Sequence, residues 1–238
     1  MPTSSRAPKA SRASLTIREA IRRLREHYGP PEPPPSADPF ELVLWVNVAY
    51  LARPAKRREA FDLLKSTLGT RPAAIMTARQ EALERVTARG ILKSAFADRL
   101  RECAAIAMEE FGGDLDAAIR GPLGPAKRAL RRFPGIGEPG AERILLFAGR
   151  QPLLAPESNG LRALVRLGFV REESSYSRKY AAARQVASGL PAKVSVLQEA
   201  SLLLELHGRM LCKSSALRCG ECPLAGGCAH ARRSGLQV

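Results

Sequence analysis

The sequence predicts an all-α fold. Apolar residues recur at helical spacing through successive segments of about 8–18 residues, glycine and proline breaks with helix-start signals separate those segments, and no stretch alternates apolar and polar residues as a half-buried strand would. At 238 residues the chain suits one large domain or two small ones, and it shows no internal repeat.

The first helix starts at Thr16, which stands three residues before Glu19 with capping-box spacing, and Ile17, Ala20, Ile21 and Leu24 share one face. It ends near Tyr28-Gly29, and Pro30-Pro31-Glu32-Pro33-Pro34-Pro35 follows as a stiff extended linker. Asp38-Pro39-Phe40-Glu41 supplies a cap, a first-turn proline and a first-turn acid. The helix body it opens, Glu41–Tyr50, is apolar nearly all round and is expected at the centre of the fold. Helical patterns continue over 56–68, 72–77, 80–89 and 93–110. After the break at Gly112-Gly113-Asp114 they resume over 115–119 and 124–133. Pro134-Gly135-Ile136-Gly137 is a tight turn, and helices over 139–149, 160–167, 176–187 and 193–207 complete the series.

Hydrophobic residues make up 45% of the chain, enough for a sizeable core, and no apolar run reaches the roughly 18–20 residues that a membrane span needs. Lys and Arg number 38 against 23 for Asp and Glu, a net charge of +15. Such a charge attracts polyanions, nucleic acid first among them, by Coulomb forces and by counterion release; the plainer alternative is a basic protein whose charge only keeps it dispersed. The segment 1–14 is rich in Ser, Ala and Arg without an acidic residue, and reads as a disordered basic tail or, alternatively, an organelle-targeting peptide.

Four of the five cysteines fall within Cys212–Cys228 in the order C-x6-C-x2-C-x5-C. With no secretory signal, such clustering points to metal binding rather than disulfides. Thiolates suit either zinc or an iron–sulfur cluster, although a zinc ribbon would normally carry two separated C-x2-C knuckles and one is present here. Cys103 stands alone in a helical pattern and reads as a buried thiol. Phe133-Pro134-Gly135-Ile136-Gly137 lies between two helical patterns. Its glycines free the backbone and clear side chains from the approach, and the next helix offers unpaired N–H groups and a positive dipole end, together a place for a phosphate oxygen.

These motifs carry a resemblance. The cysteine segment, closely preceded by His207-Gly208-Arg209, resembles the C-terminal cluster loop of endonuclease III and the related adenine glycosylases. Phe133–Gly137 resembles the hairpin of the same helix–hairpin–helix superfamily, which reads Leu-Pro-Gly-Val-Gly, and Pro39-Phe40-Glu41-Leu42 resembles the start of that family's first barrel helix. The resemblance spans about residues 15–232. It implies two helical lobes with double-stranded DNA in the groove between them: a six-helix barrel with the helix–hairpin–helix over 38–151, and a cluster lobe from 15–37 and 152–238. It further implies that Cys212, Cys219, Cys222 and Cys228 each ligate one iron of a [4Fe–4S] cluster at 212–228. DNA contacts are implied at Gly135, Ile136, Gly137 and Gly140, and at Lys213 and Arg218 of the cluster loop.

The resemblance also sets out what the chemistry would require. Cleaving an N-glycosidic bond needs a flipped base, a carboxylate near the sugar cation and a nucleophile. In bifunctional relatives a lysine two residues after the second hairpin glycine forms a Schiff base; that slot here is Pro139. Lys127 could stand in, though nothing in the sequence favours it. Ungapped counting from the hairpin lands the family's catalytic-aspartate segment on Pro156-Glu157-Ser158-Asn159, so that Glu157 takes the acid slot and Asn159 replaces a histidine. On the helix bordering the family's base pocket lie Trp45, Asn47 and Tyr50; Asn47 could read a base edge and Tyr50 could stack on a base. His207 and His230 read as structural or solvated. The resulting expectation is a monofunctional DNA glycosylase of base-excision repair acting on damaged or mismatched duplexes, with a catalytically inactive DNA-binding protein as the alternative. It is expected to be a monomer without a membrane partner and, in a bacterium, cytoplasmic and nucleoid-associated.

Overall fold

Thirteen α-helices and three short 3-10 turns build the described residues, 15–235, of this computed structural model, and no strand occurs among them. The tail expected over 1–14 lies outside the described residues. The helices are α1 (Ile17–Tyr28), α2 (Pro39–Asn47), α3 (Pro54–Thr67), α4 (Pro72–Thr77), α5 (Gln80–Thr87), α6 (Lys93–Phe111), α7 (Leu115–Ile119), α8 (Leu123–Leu130), α9 (Glu138–Phe147), α10 (Ser158–Leu167), α11 (Tyr176–Gln185), α12 (Val194–Met210) and α13 (Ala229–Arg233).

The caps explain several starts. Thr16 Oγ1 accepts from the Glu19 N–H, but the Glu19 carboxylate turns to Arg22 and Arg23, so the capping box is only half formed. Asp38 Oδ1 accepts from the Glu41 N–H at 2.8 Å, and Pro39 sits in the first turn of α2. Most helix ends fall within one to three residues of the sequence expectation, and two of the differences have a clear local cause. The helix expected to reach Tyr50 stops at Asn47, because the chain turns at 48–51 into a left-handed Leu51. The helix expected from Gly160 begins at Ser158, because Glu157 caps it.

Helix α2 is the axis of one group: it packs against α3, α6, α7 and α9, and buries Phe40, Leu42, Val43 and Leu44. Phe133, fully enclosed, sits between Phe40 and Phe111 with ring centroids 6.4 and 5.7 Å away. Cys103 is buried in α6, and burial pushes its thiol up to about 12, as befits a core residue. A second group centres on α12, against which α1 and α10 lie, with α11 and α13 on α10. Helix α9 contacts both α8 of the first group and α12 of the second, so the segment after the hairpin bridges the two. Leu24, Leu164, Leu203 and Leu204 are fully buried in the second group; removing each from water is worth about 2 kcal/mol. No described helix is long and apolar enough to cross a membrane.

Candidate functional site

The hairpin is a built element. Gly135 has φ +75, a left-handed torsion that favours glycine, and a Cβ there would stand 3.1 Å from Asn47 Oδ1. Asn47 is only 1% exposed and its Nδ2 donates to the carbonyls of Val43 and Pro134 at 3.0 and 3.2 Å. The side chain expected to read a base edge is thus turned into the hairpin and fastens it to α2. Ile136 is buried, Gly137 is the extended N-cap of α9, and Gly140 packs near Ile136. The N-terminal end of α9 carries Glu138, which pairs with Lys127 at 2.6 Å. Lys127 also reaches Glu142 at 3.0 Å, and Arg184 and the Tyr180 hydroxyl donate to the same carboxylate at 2.8 and 2.9 Å. Glu142 is 0% exposed. Its ion pairs tie α8, α9 and α11 together, and the carboxylates raise the Lys127 pKa against the lowering effect of burial. Lys127 is therefore held as a cation between two acids, away from the role of a free amine. Pro139 lies in the first turn of α9.

The acid-slot segment is positioned by two contacts to Ala155: its N–H donates to Ser201 Oγ at 3.2 Å, and its carbonyl accepts from Arg143 Nη1 at 3.3 Å. Glu157 follows as N-cap of α10. Its Oε1 accepts from the N–H groups of Asn159 and Gly160 at 2.7 and 2.9 Å, and its Oε2 from Asn159 Nδ2 at 2.8 Å and the Ser158 hydroxyl at 3.2 Å. Four donor contacts converge on this one carboxylate and hold it in place. The Tyr176 ring lies near enough to feel that charge: burial raises its phenol pKa and Glu157 adds to the rise. Tyr176, Ser158, Arg162, Arg166 and Lys179 line a broad hollow beside α10.

Cys212, Cys219, Cys222 and Cys228 line one pocket, together with Leu211, Leu217 and other mainly apolar groups. His207 and His230 also border it. His207 is buried; its Nδ1 stands 3.1 Å from the Tyr28 hydroxyl and its Nε2 3.7 Å from Cys222 Sγ. Arg162 donates to the carbonyls of Gly208 and Cys212, and Arg166 to those of Cys212 and Lys213, so two cations of α10 hold the loop's backbone. Among the described residues, no three His, Cys, Asp or Glu side chains are gathered tightly enough to hold a metal ion. Lys213 makes no ion pair among the described residues, whereas Arg218 is bound bidentately by Glu221 at 2.8 and 2.6 Å.

One feature escaped the sequence reading. Leu51 and Leu92 are both left-handed, with φ of 54 and 55, and are 71% and 62% exposed. Ile91 is exposed beside Leu92, and its N–H donates to the Tyr50 carbonyl at 3.1 Å, so the two apolar tips are neighbours. Gly90 makes this possible: a Cβ there would fall 2.5 Å from the Tyr50 nitrogen. Tyr50 itself lies flat against Phe96, with centroids 4.7 Å apart, which leaves one face of its ring covered. The available signal was a loop Gly90-Ile91-Leu92 whose apolar residues had no helical partner position.

No family model matches the chain. It is 24% identical over 200 residues to endonuclease III of Thermotoga maritima, an alignment covering 83% of this chain and 86% of that protein. Among solved structures, a non-covalent endonuclease III–DNA complex superposes with a TM-score of 0.74 at 19% identity, over 93% of this chain and 97% of the other. A thermostable thymine-DNA glycosylase superposes with a TM-score of 0.73 at 13% identity, over 91% and 97%.

Proposed function

We propose that this chain is a divergent member of the endonuclease III-like helix–hairpin–helix superfamily and a DNA glycosylase that removes a base by hydrolysis and lacks Schiff-base lyase activity. The observation that carries the reading is Glu157. A carboxylate fixed by four donor contacts stands in the segment between α9 and α10. A fixed negative charge there is suited to a sugar that becomes cationic as its base departs. Pro139 offers no amine, and Lys127, the nearby alternative, is neutralised by Glu138 and Glu142; both support hydrolysis over a lysine adduct.

Duplex DNA would lie against the hairpin, with Gly135, Ile136, Gly137 and Gly140 presenting backbone to phosphate, and against Lys213 and Arg218. The exposed tips Leu51 and Leu92 would fill the stack vacated by the flipped base, as apolar wedges do elsewhere. Tyr50 keeps one ring face for a base.

The four cysteine sulfurs would hold a [4Fe–4S] cluster. What supports this reading is that the four sulfurs line one largely apolar pocket, and that their C-x6-C-x2-C-x5-C order resembles the cluster loop of endonuclease III and carries one C-x2-C knuckle where a zinc ribbon would carry two. When bound, the cluster supplies a covalent staple that shapes the loop bearing Lys213 and Arg218. The test of this part is stoichiometric iron and acid-labile sulfide in anaerobically purified protein; zinc in their place would overturn it.

The function itself is tested by incubating purified protein with duplexes bearing deaminated, oxidised, alkylated and mismatched bases, with and without alkali. Base release that becomes a strand break only after alkali supports hydrolysis. Breaks without alkali, trapped by borohydride, would indicate a lyase. Tight, salt-dependent binding with no base release on any duplex would favour the inactive DNA-binding alternative.

A further inference from the structure

Helix α3 carries a donor that no partner among the described residues satisfies. The guanidinium groups of Arg57 and Arg58 both lie over the Trp45 ring, each 5.6 Å from its centroid. Arg58 finds partners in the Glu32 carboxylate and the Pro33 carbonyl, at 2.6 and 3.2 Å. Arg57 does not: among the described residues, its Nε is the one buried side-chain nitrogen or oxygen without a hydrogen-bond partner.

The surroundings make this more than a packing accident. The charges that act on Arg57 are Glu205 and Arg209 of α12, Arg143 of α9, and Glu157. Glu205 is already shared by Arg143 at 2.5 Å and Arg209 at 3.5 Å, and Glu157 is committed to capping α10. Three guanidinium groups therefore face two carboxylates, which leaves positive charge in excess beside the proposed reaction centre. Burial pushes the Arg57 guanidinium below its ordinary value. A buried donor without a partner is unfavourable, and an acceptor on a ligand would relieve it.

We propose that Arg57 donates a hydrogen bond to a carbonyl oxygen of the flipped base and stabilises that base as it leaves, so that the substrates are neutral, carbonyl-bearing bases and not cationic N-alkylated ones. The proposal rests on the glycosylase reading above and names its substrate class. When the C1′–N bond breaks, both bonding electrons stay with the base nitrogen. In a base whose carbonyl is conjugated with that nitrogen, the charge spreads to the oxygen, where a guanidinium N–H gives a charge-assisted bond. Water forms the new O–C1′ bond, and the proton it loses is balanced by the proton the released base gains. A base that is cationic before cleavage departs neutral, develops no charge for Arg57 to meet, and is repelled by the cationic surplus. The Trp45 ring, 5.6 Å from the Arg57 guanidinium carbon, backs the group on one side.

The experiment is single-turnover base release by wild type, Arg57→Gln and Arg57→Lys. The duplexes carry uracil, thymine glycol, hypoxanthine or 8-oxoguanine on one side, and 7-methylguanine or 3-methyladenine on the other; thermal melting and duplex affinity are measured in parallel. Expected is release confined to the carbonyl-bearing neutral bases, a fall of about 10²-fold in Arg57→Gln at unchanged duplex affinity, and partial recovery in Arg57→Lys. The melting temperature should hold or rise, because an unpaired buried charge has been removed. Preferential release of the methylated purines would overturn the proposal. So would an Arg57→Gln protein that releases base at the wild-type rate or that loses stability and affinity together. A methylphosphonate beside the target base that reproduces the Arg57→Gln defect would also overturn it, by assigning Arg57 to the backbone. Absence of release of any base by wild type would remove the glycosylase reading along with it, whereas a normal Arg57→Gln protein would remove this proposal alone.

Discussion

Glu157 has two tasks, and a substitution can separate them. As N-cap it needs a side-chain oxygen for the N–H groups of Asn159 and Gly160; as an electrostatic partner for a sugar cation it needs a charge. Glu157→Gln keeps an oxygen and loses the charge. Its base release should fall by about 10²-fold or more while the loss of stability stays within about 1 kcal/mol. Single-turnover assays and thermal melts on the same preparation measure both, and an unchanged rate would leave Glu157 as a cap alone. Gly135 gives a prediction of the opposite kind. At φ +75, with Asn47 Oδ1 3.1 Å from any added Cβ, Gly135→Ala should lose about 1–2 kcal/mol by denaturant unfolding. Duplex affinity should fall with it, because the displaced group is the hairpin backbone. At this scale the sequence was legible where a residue's type dictates its torsion or its cap, as at Gly135 and Asp38. It was misleading at Asn47, whose amide could equally have faced solvent; only the approach of the Pro134 carbonyl decides that it faces the hairpin.

At the scale of elements, the helix α9 depends on a buried carboxylate. Glu142, fully buried, receives Lys127 from α8 and the partly exposed Arg184 together with Tyr180 from α11. Removing Glu142 strands the Tyr180 hydroxyl and leaves Lys127 and Arg184 to share Glu138, so Glu142→Ala should cost about 3 kcal/mol and should loosen α11 from α9; chemical denaturation and hydrogen exchange on 176–185 would record both. A loss below about 1 kcal/mol would mean that water already satisfies the cations. The apolar tips predict the reverse pattern. Leu51→Ala with Leu92→Ala removes exposed side chains, so stability should change by no more than about 0.5 kcal/mol per site. Base release from duplex DNA should nevertheless drop, while release from the same strand without its complement should not, because no stack remains to be filled. Equal rates on duplex DNA would remove the tips from the flipping step. Helix positions were legible in sequence from caps, prolines and apolar periodicity. The tips were not, because their placement depends on Gly90 letting two loops meet that lie some 40 residues apart, as a long-range contact can and a local pattern cannot.

For the whole molecule, the all-α class was legible because helical period, short breaks and absent alternation agree along the entire chain. The packing of α10 on α12, which sets where the cysteine loop lies, was not legible, because it is fixed by the guanidinium groups of Arg162 and Arg166 reaching loop carbonyls nearly fifty positions away. Those same contacts bear on how a net charge of +15 is deployed. A surplus spread evenly over the surface would give weak binding with no residue mattering, whereas a surplus gathered on a DNA-facing loop gives a definite number of phosphate contacts. Each such contact contributes about −0.9 to the slope of log affinity against log salt concentration. Lys213 has no carboxylate partner among the described residues, while Arg218 is gripped by both oxygens of Glu221. Lys213→Ala should therefore flatten the slope by about one phosphate contact, and Arg218→Ala by much less unless Glu221→Ala accompanies it. Cys219→Ser should imitate Lys213→Ala if the cysteine pocket is what holds the loop in position. Equal slopes for wild type and Lys213→Ala, measured by fluorescence anisotropy over a salt series, would place the DNA on another face of the protein.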